Sequence, residues 1–153
     1  MVFKSARLRA LEDVPSAFGS TYGKEWQLTD ADWINRAAQW NGEKSILYLA
    51  MEDGVASGIA GSHLDRDDRA RAHLISMWTA PAYRQRGLGR LLVDEIVRWA
   101  CLRGARTLQL MVTSGNNSAH LFYQRLGFTF TGRTAPYPND PRLFELEMSR
   151  PIP

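Results

Sequence analysis

Apolar residues recur along this chain with two different spacings, and the switches between them mark out its elements. Ser5 to Leu11 read as a helix, and Asp13-Val14-Pro15 ends it, because the residue before a proline avoids helical backbone. Thr29 followed by Asp32 has the form of a capping box with Asp in the usual Glu position. It opens a helix on which Trp33, Ala37 and Trp40 share a face and which Gly42 closes. SILYLAM at 45–51 and VASGIAG at 55–61 flank Asp53-Gly54, a pair suited to a tight hairpin turn. LDRDDRAR at 64–71 reads as a solvated loop, and AHLISMWTA at 72–80 as a third antiparallel strand that breaks at Pro81.

From Leu88 the period becomes helical. Leu88, Leu92, Ile96, Trp99 and Ala100 share one face, Asp94 stands four residues ahead of Arg98 on the other, and Gly104 caps the helix. TLQLMV at 107–112 is the next strand. A second helix runs from about Asn117 to Leu126 and is closed by Gly127, the residue that most easily takes a left-handed cap. Phe128 to Thr131 and Leu143 to Met148 are the last strands, on either side of the turn PYPNDP. This order predicts an α+β fold with a mixed, mostly antiparallel sheet flanked by helices, not a doubly wound parallel one.

The chain has 153 residues, of which 44% are hydrophobic and 23% charged, with no repeat or linker, so one globular domain spanning 1–153 is expected. Its single Cys101, in the apolar neighbourhood WAC, allows no internal disulfide and reads as a buried helical residue of a reduced chain. No metal site is expected. The N-terminus lacks a signal peptide's apolar stretch and no run approaches a membrane span, so a soluble cytoplasmic protein with no membrane partner is expected.

Charge changes the picture through its placement. The net is +3, and Arg far outnumbers Lys, a bias suited to anions that accept a guanidinium fork. Arg84, Arg86, Arg90, Arg98, Arg103 and Arg106, set against Asp94 and Glu95, give the segment 83–106 a net of +4, and the rest of the chain carries −1. The excess surrounds AYRQRGLGRLL at 82–92, where a strand gives way to a helix. A helix start leaves backbone N–H groups unpaired and carries about half a positive charge, so it suits a phosphate. Gly87 and Gly89 would let that phosphate approach the backbone closely. The dinucleotide fingerprint wants a third Gly where Leu92 stands and an acid near Leu108 and Gln109, and the Walker A loop wants Gly-Lys-Ser/Thr. Neither is present.

What remains is Arg84-x-x-Gly87-x-Gly89 between a strand and a helix, followed by Asn116-x-x-Ala119-x-x-x-Tyr123 and then Gly127-Phe128. In these two motifs and their order the chain resembles the GNAT superfamily of N-acetyltransferases, in particular its small bacterial members of unassigned substrate. The resemblance covers about residues 45–148, with RLRALEDVPSAFGSTY similar to the first helix and loop of such enzymes. It implies acetyl-CoA as cosubstrate and a primary amine, on a small molecule or a peptide, as acceptor. It also implies a sheet splayed between the fourth and fifth family strands, here 71–79 and 107–112, with the pantetheine arm in the gap. The backbone from Gln85 through Arg86, Gly87, Leu88 and Gly89 to Arg90 would hold the pyrophosphate. Arg84 opens that motif, and Met77, Trp78 and Thr79 would meet the pantetheine amides and the oxyanion. Only MVFKS precedes the first helix, so the first family strand is expected to be missing or shortened. That would expose a sheet edge and invite a homodimer.

Under this resemblance Tyr123 is the catalytic residue, a phenol donating to the departing thiolate, although a core Tyr with a satisfied hydroxyl is the plainer reading of the residue alone. Asn116 reads as a helix cap, a contact to the cofactor arm, or both. The amine must lose a proton, and HLISMWT carries no carboxylate, which leaves Glu25, His73 through water, Asp65 and His120 as candidate bases. Phe18, Tyr22, Trp26, Trp33, Trp40 and Tyr137 form an aromatic set on the acceptor side, more readily core than binding cage. Two other classes compete: a catalytically silent acyl-CoA binding module, which would not need Tyr123, and a nucleic-acid binding domain, ranked last for want of a stacking platform.

Overall fold

The computed structural model describes residues 1–153. Three helices come first, α1 (Val2–Asp13), α2 (Tyr22–Trp26) and α3 (Asp30–Gln39), with a 3-10 turn at Pro15–Ala17 after α1. Strands β1 (Ser45–Glu52), β2 (Val55–Leu64) and β3 (Arg71–Thr79) follow. Next come α4 (Leu88–Leu102), β4 (Thr107–Thr113), α5 (Asn117–Arg125), β5 (Thr129–Pro136) and β6 (Phe144–Pro151). The capping box at Thr29 is reciprocal, with Asp32 Oδ2 accepting from Thr29 N at 2.8 Å and Thr29 Oγ1 from Asp32 N at 3.2 Å. The Asp53-Gly54 turn has both residues at positive φ, +50° and +78°, as a hairpin of matching twist requires. The sequence reading passed over α2, a single turn too short to show a period, and ended β5 five residues early.

The six strands lie in the order β1-β2-β3-β4-β6-β5, and every pairing is antiparallel except β3 with β4. That exception is also the shortest ladder, joining Arg71, Ala72 and His73 to Thr107, Leu108 and Gln109 and then stopping. Beyond it the two strands part, giving the splayed mixed sheet that was expected. No strand stands between Met1 and α1, so β1 forms one sheet edge and β5 the other.

Two cores hold the sheet from opposite faces. On one, Leu92, Val93, Ile96, Trp99 and Ala100 of α4 pack with Leu74, Leu108, Leu110, Val112, Tyr123, Phe128 and Met148. On the other, Phe3, Leu8 and Leu11 of α1 pack with Phe18, Trp33, Ile59 and Trp78. Leu74 and Trp78 have the same strand parity yet belong to different cores, so something between them reverses the alternation. The register supplies the cause. Gly61 faces Ile75 and Ile59 faces Trp78, so β3 carries one extra residue, and Ser76 stands in that bulge at φ +56°.

Two local expectations are corrected. Cys101 is exposed, because the buried stripe of α4 passes through residues 96, 99 and 100 and leaves 101 turned outward. Arg98 pairs at 2.9 Å with Glu95, one turn back, and not with Asp94.

Candidate functional site: a splayed sheet and an unpaired helix start

The gap between β3 and β4 opens toward Pro81 and the start of α4. Arg84 N–H donates to Pro81 O at 3.3 Å and Leu91 N–H to Gly87 O at 3.1 Å, and the backbone N–H groups from Gln85 to Arg90 have no acceptor in the protein. Gln85 at φ +60° and Gly87 at φ +82° turn the chain so that this row of donors ends on the first turn of α4, where no side chain caps it. Successive free N–H groups at a helix start form a concavity for an anion. The two glycines differ in what they do. A Cβ at Gly87 would meet nothing within 4 Å, whereas one at Gly89 would stand 2.9 Å from Phe122 and 3.4 Å from Met77 Cε. Gly87 is needed for its backbone angle, and Gly89 because α5 packs against α4 there.

The arginines of the turn also separate. Arg84 donates through Nε to Thr79 O at 3.0 Å and ion-pairs with Asp13, whose carboxylate also accepts from Trp78 Nε1 at 2.9 Å. It therefore ties the end of β3 to α1. Arg86 lies over the Tyr83 ring at 5.5 Å, and Arg90 has no side-chain partner. Arg86 also donates through Nη1 to Ala82 O at 3.4 Å, and the positive charge beside the free N–H groups that no carboxylate neutralises thus comes from Arg86 and Arg90.

Asn116 caps α5, its Oδ1 accepting from Ala119 N at 3.3 Å, so the cap reading of that residue is observed. Two turns on, Tyr123 packs edge-on against Phe122 and Phe128 at 5.1 and 5.6 Å between ring centres. Burial pushes its phenol well above the ordinary tyrosine value, so it keeps its proton. The buried polar side-chain atoms sealed without a partner are Trp33 Nε1 and Ser62 Oγ. Tyr123 Oη is not sealed in this way, and no protein group hydrogen-bonds to it. The hydroxyl is therefore open to a partner from outside the protein.

The candidate bases fare differently. Glu25 is 1% exposed and held by Arg7 Nη2 at 3.0 Å and Arg36 Nη1 at 3.2 Å. Burial raises its pKa, but the hydrogen bond and charge of Arg7, the charge of Arg36 and a bond from Ser20 outweigh that and hold it below the usual carboxylate range. A carboxylate fixed as an anion in this way has little basicity to offer. His73 and Asp65 pair at 2.7 Å where β3 and β4 are still joined, at the closed end of the gap. His120 Nε2 lies 3.3 Å from Thr113 O, with the ring edge-on to Phe130. The sequence reading missed Glu145. It stands on β6 opposite Thr113, half-buried and without a side-chain partner, and burial raises its pKa. No local pattern distinguishes it from Glu147, which Gln109 and Thr131 engage.

The wall facing the gap from the N-terminal side is closely knitted. Thr113 Oγ1 donates to Ser16 O at 2.5 Å and Tyr137 Oη to Phe18 O at 2.5 Å. Phe18, Trp33 and Tyr137 are buried, while Trp26 is exposed and stacks on Tyr22 at 5.7 Å. The aromatic set is thus mostly core and does not converge on a cage. No helix is long and apolar enough to cross a membrane.

Comparison with known proteins gives a consistent answer. Residues 8–128 match the model of the acetyltransferase (GNAT) family. The ribosomal protein bS18-alanine N-acetyltransferase of Escherichia coli is 29% identical over 143 residues, covering 92% of each chain. The aminoglycoside N(6')-acetyltransferase type 1 of Salmonella typhimurium is 29% identical over 96 residues. That match covers 59% of this chain and spans 66% of the relative's length. A crystal structure of a GNAT-family acetyltransferase from Streptococcus pneumoniae superposes with a TM-score of 0.76 at 28% identity, covering 99% of this chain and 95% of that one.

Proposed function

The chain belongs to the acetyltransferase (GNAT) family, and from that premise we propose that it transfers the acetyl group of acetyl-CoA to a primary amine by direct attack in a ternary complex. The observation that carries the reading is the row of free N–H groups from Gln85 to Arg90 at the mouth of a gap between two parted strands. The pyrophosphate of CoA would accept from those groups, with Arg86 and Arg90 screening its charge. Pantetheine carries amides, and β3 beyond His73 offers unpaired backbone to meet them along Met77–Thr79. The same strand would supply N–H groups to the oxyanion.

Tyr123 is protonated and its hydroxyl lacks a partner, which is the state a donor to the leaving thiolate needs. The amine's own proton would pass to water or to Glu145, the free carboxylate on the Thr113 face. The acceptor is a small-molecule or peptide amine, in keeping with the two named relatives.

Calorimetric titration tests the cofactor half of this reading, with saturable acetyl-CoA binding expected; no binding at millimolar ligand would overturn it. An acetyl-CoA consumption screen over polyamines, aminoglycosides and alanyl peptides then tests the transfer. Binding without turnover of any of these amines would favour the silent module.

A further inference from the structure

The buried carboxylate of Glu25, held between two arginines, has a geometry of its own. Arg7 of α1 spreads its guanidinium between two partners. Nε and Nη2 donate to Glu25 at 3.1 and 3.0 Å, and Nη1 donates to Ser76 Oγ at 3.2 Å. Glu25 is braced from behind by Arg36, which also lies over the Trp33 ring at 5.2 Å, and Arg7 covers the Phe18 ring at 4.9 Å. Arg7, Glu25 and Arg36 are each fixed by more than one contact, so the guanidinium has little freedom to turn.

Its target, Ser76, is the residue that reverses the sides of β3. A serine at φ +56° is in a region that side chains other than Gly, Asn and Asp seldom adopt, and it stays there only if its surroundings hold it. The consequence appears one and two residues later. Met77 turns to the α4 side, where its Cε lies against Gly89, and Trp78 turns to the α1 side, where its indole reaches Asp13. Met77–Thr79 is also the stretch whose free backbone edge borders the gap.

We propose that Arg7, fixed by Glu25, is a positioning residue that holds the Ser76 bulge and so sets the backbone of Met77–Thr79 in the register that meets an acyl-CoA thioester. This rests on the acyl-CoA reading above and adds to it a device built from the first two helices. Glu25 acts at one remove, as the anion that aims the guanidinium.

The test uses two variants of the intact protein. Ser76→Ala removes the acceptor for Arg7 while leaving a side chain at a positive φ that must still be held, and Ser76→Asn keeps a side-chain oxygen on a residue that tolerates this backbone angle. Acetyl-CoA affinity by calorimetry should fall about tenfold in Ser76→Ala, the size of one hydrogen bond to a charged group, and stay within about twofold of wild type in Ser76→Asn. Equal affinity for both variants and the wild type would overturn the inference while leaving the acyl-CoA reading intact. So would a lowered melting temperature in Ser76→Ala with unchanged affinity, which is what a merely structural link would produce. A wild type that binds no acetyl-CoA would remove both readings together.

Discussion

The turn at 85–90 and the wall formed by residues 13–26 flank the same gap and are built on opposite plans. In the turn, the backbone donors are free and two arginines have no anionic partner. In the wall almost every polar group is taken: Asp13 by Trp78 and Arg84, Ser16 O by Thr113, Phe18 O by Tyr137, Glu25 by two arginines. The surface proposed to receive an anion keeps its donors free, and the surface that holds a shape has its donors engaged. Changes on the free side should therefore move binding or rate with little effect on stability, and changes in the wall should do the reverse. Arg7, which touches both Glu25 and Ser76, is where the two plans join.

The largest effect expected from this contrast is on rate. Tyr123→Phe removes a hydroxyl that no protein group needs, so the melting temperature should hold. Turnover with any accepted amine should fall by about 100-fold or more, the usual reach of a general acid. Because burial holds the wild-type phenol protonated, its rate should show no alkaline loss from this residue up to the ordinary tyrosine value near 10. Such a loss at lower pH would assign the proton to another group.

Next in size is a change in the turn that should behave as if it were in the wall. At Gly89 a new Cβ would press on the tip of the Phe122 ring at 2.9 Å, so Gly89→Val displaces that ring from the α4–α5 contact and should cost about 1–3 kcal/mol in denaturant unfolding. Gly87→Ala meets no neighbour and bears only the strain of φ +82°, about 1–2 kcal/mol. If Gly89→Val were as stable as wild type, that glycine would serve the ligand and not the packing.

The free side of the gap was far more legible in the sequence than the knitted side, and the reason is local. Free donors arise where a strand ends, glycines turn the chain and a helix starts, and all of that is written within a dozen residues from Ala80 to Leu91. The helix stripes and the Asp53-Gly54 hairpin were readable on the same terms. The knitted side depends on residues far apart in the chain: Arg7 with Ser76, Thr113 with Ser16, Tyr137 with Phe18. No spacing announces such pairs. Ser76 shows the limit best, since HLISMWT alternates as an ordinary strand and nothing in a serine marks a bulge. Arg84 shows another: its sequence position groups it with Arg86 and Arg90, and only the fold brings Asp13 within reach.

Within the wall, Tyr137→Phe deletes a buried bond to Phe18 O and exposes the difference between holding and binding. A stability loss of about 1 kcal/mol is expected, with faster amide exchange over residues 14–21 and unchanged acetyl-CoA affinity. An affinity change as large as that of a turn variant would erase the contrast between the two regions.

The smallest effect belongs to the closed end of the gap, which neither region controls. Asp65 is lowered to about 2 by its hydrogen bond to His73, and by the N–H groups of Asp67 and Asp68. A carboxylate depressed in the folded state stabilises it above the unfolded value near 3.9, and that contribution fades as pH falls through about 2. Asp65→Asn should therefore lower the melting temperature slightly at pH 7, and the difference from wild type should close as the solution is acidified toward pH 2. Acetyl-CoA affinity should stay constant at pH 7, because His73 and Gln109 are still paired where Asp65 sits and the gap opens only beyond them. A weakened affinity would mean that the closed end of the ladder sets the width of the open end, and that the gap is sprung from its root instead of being held at its mouth.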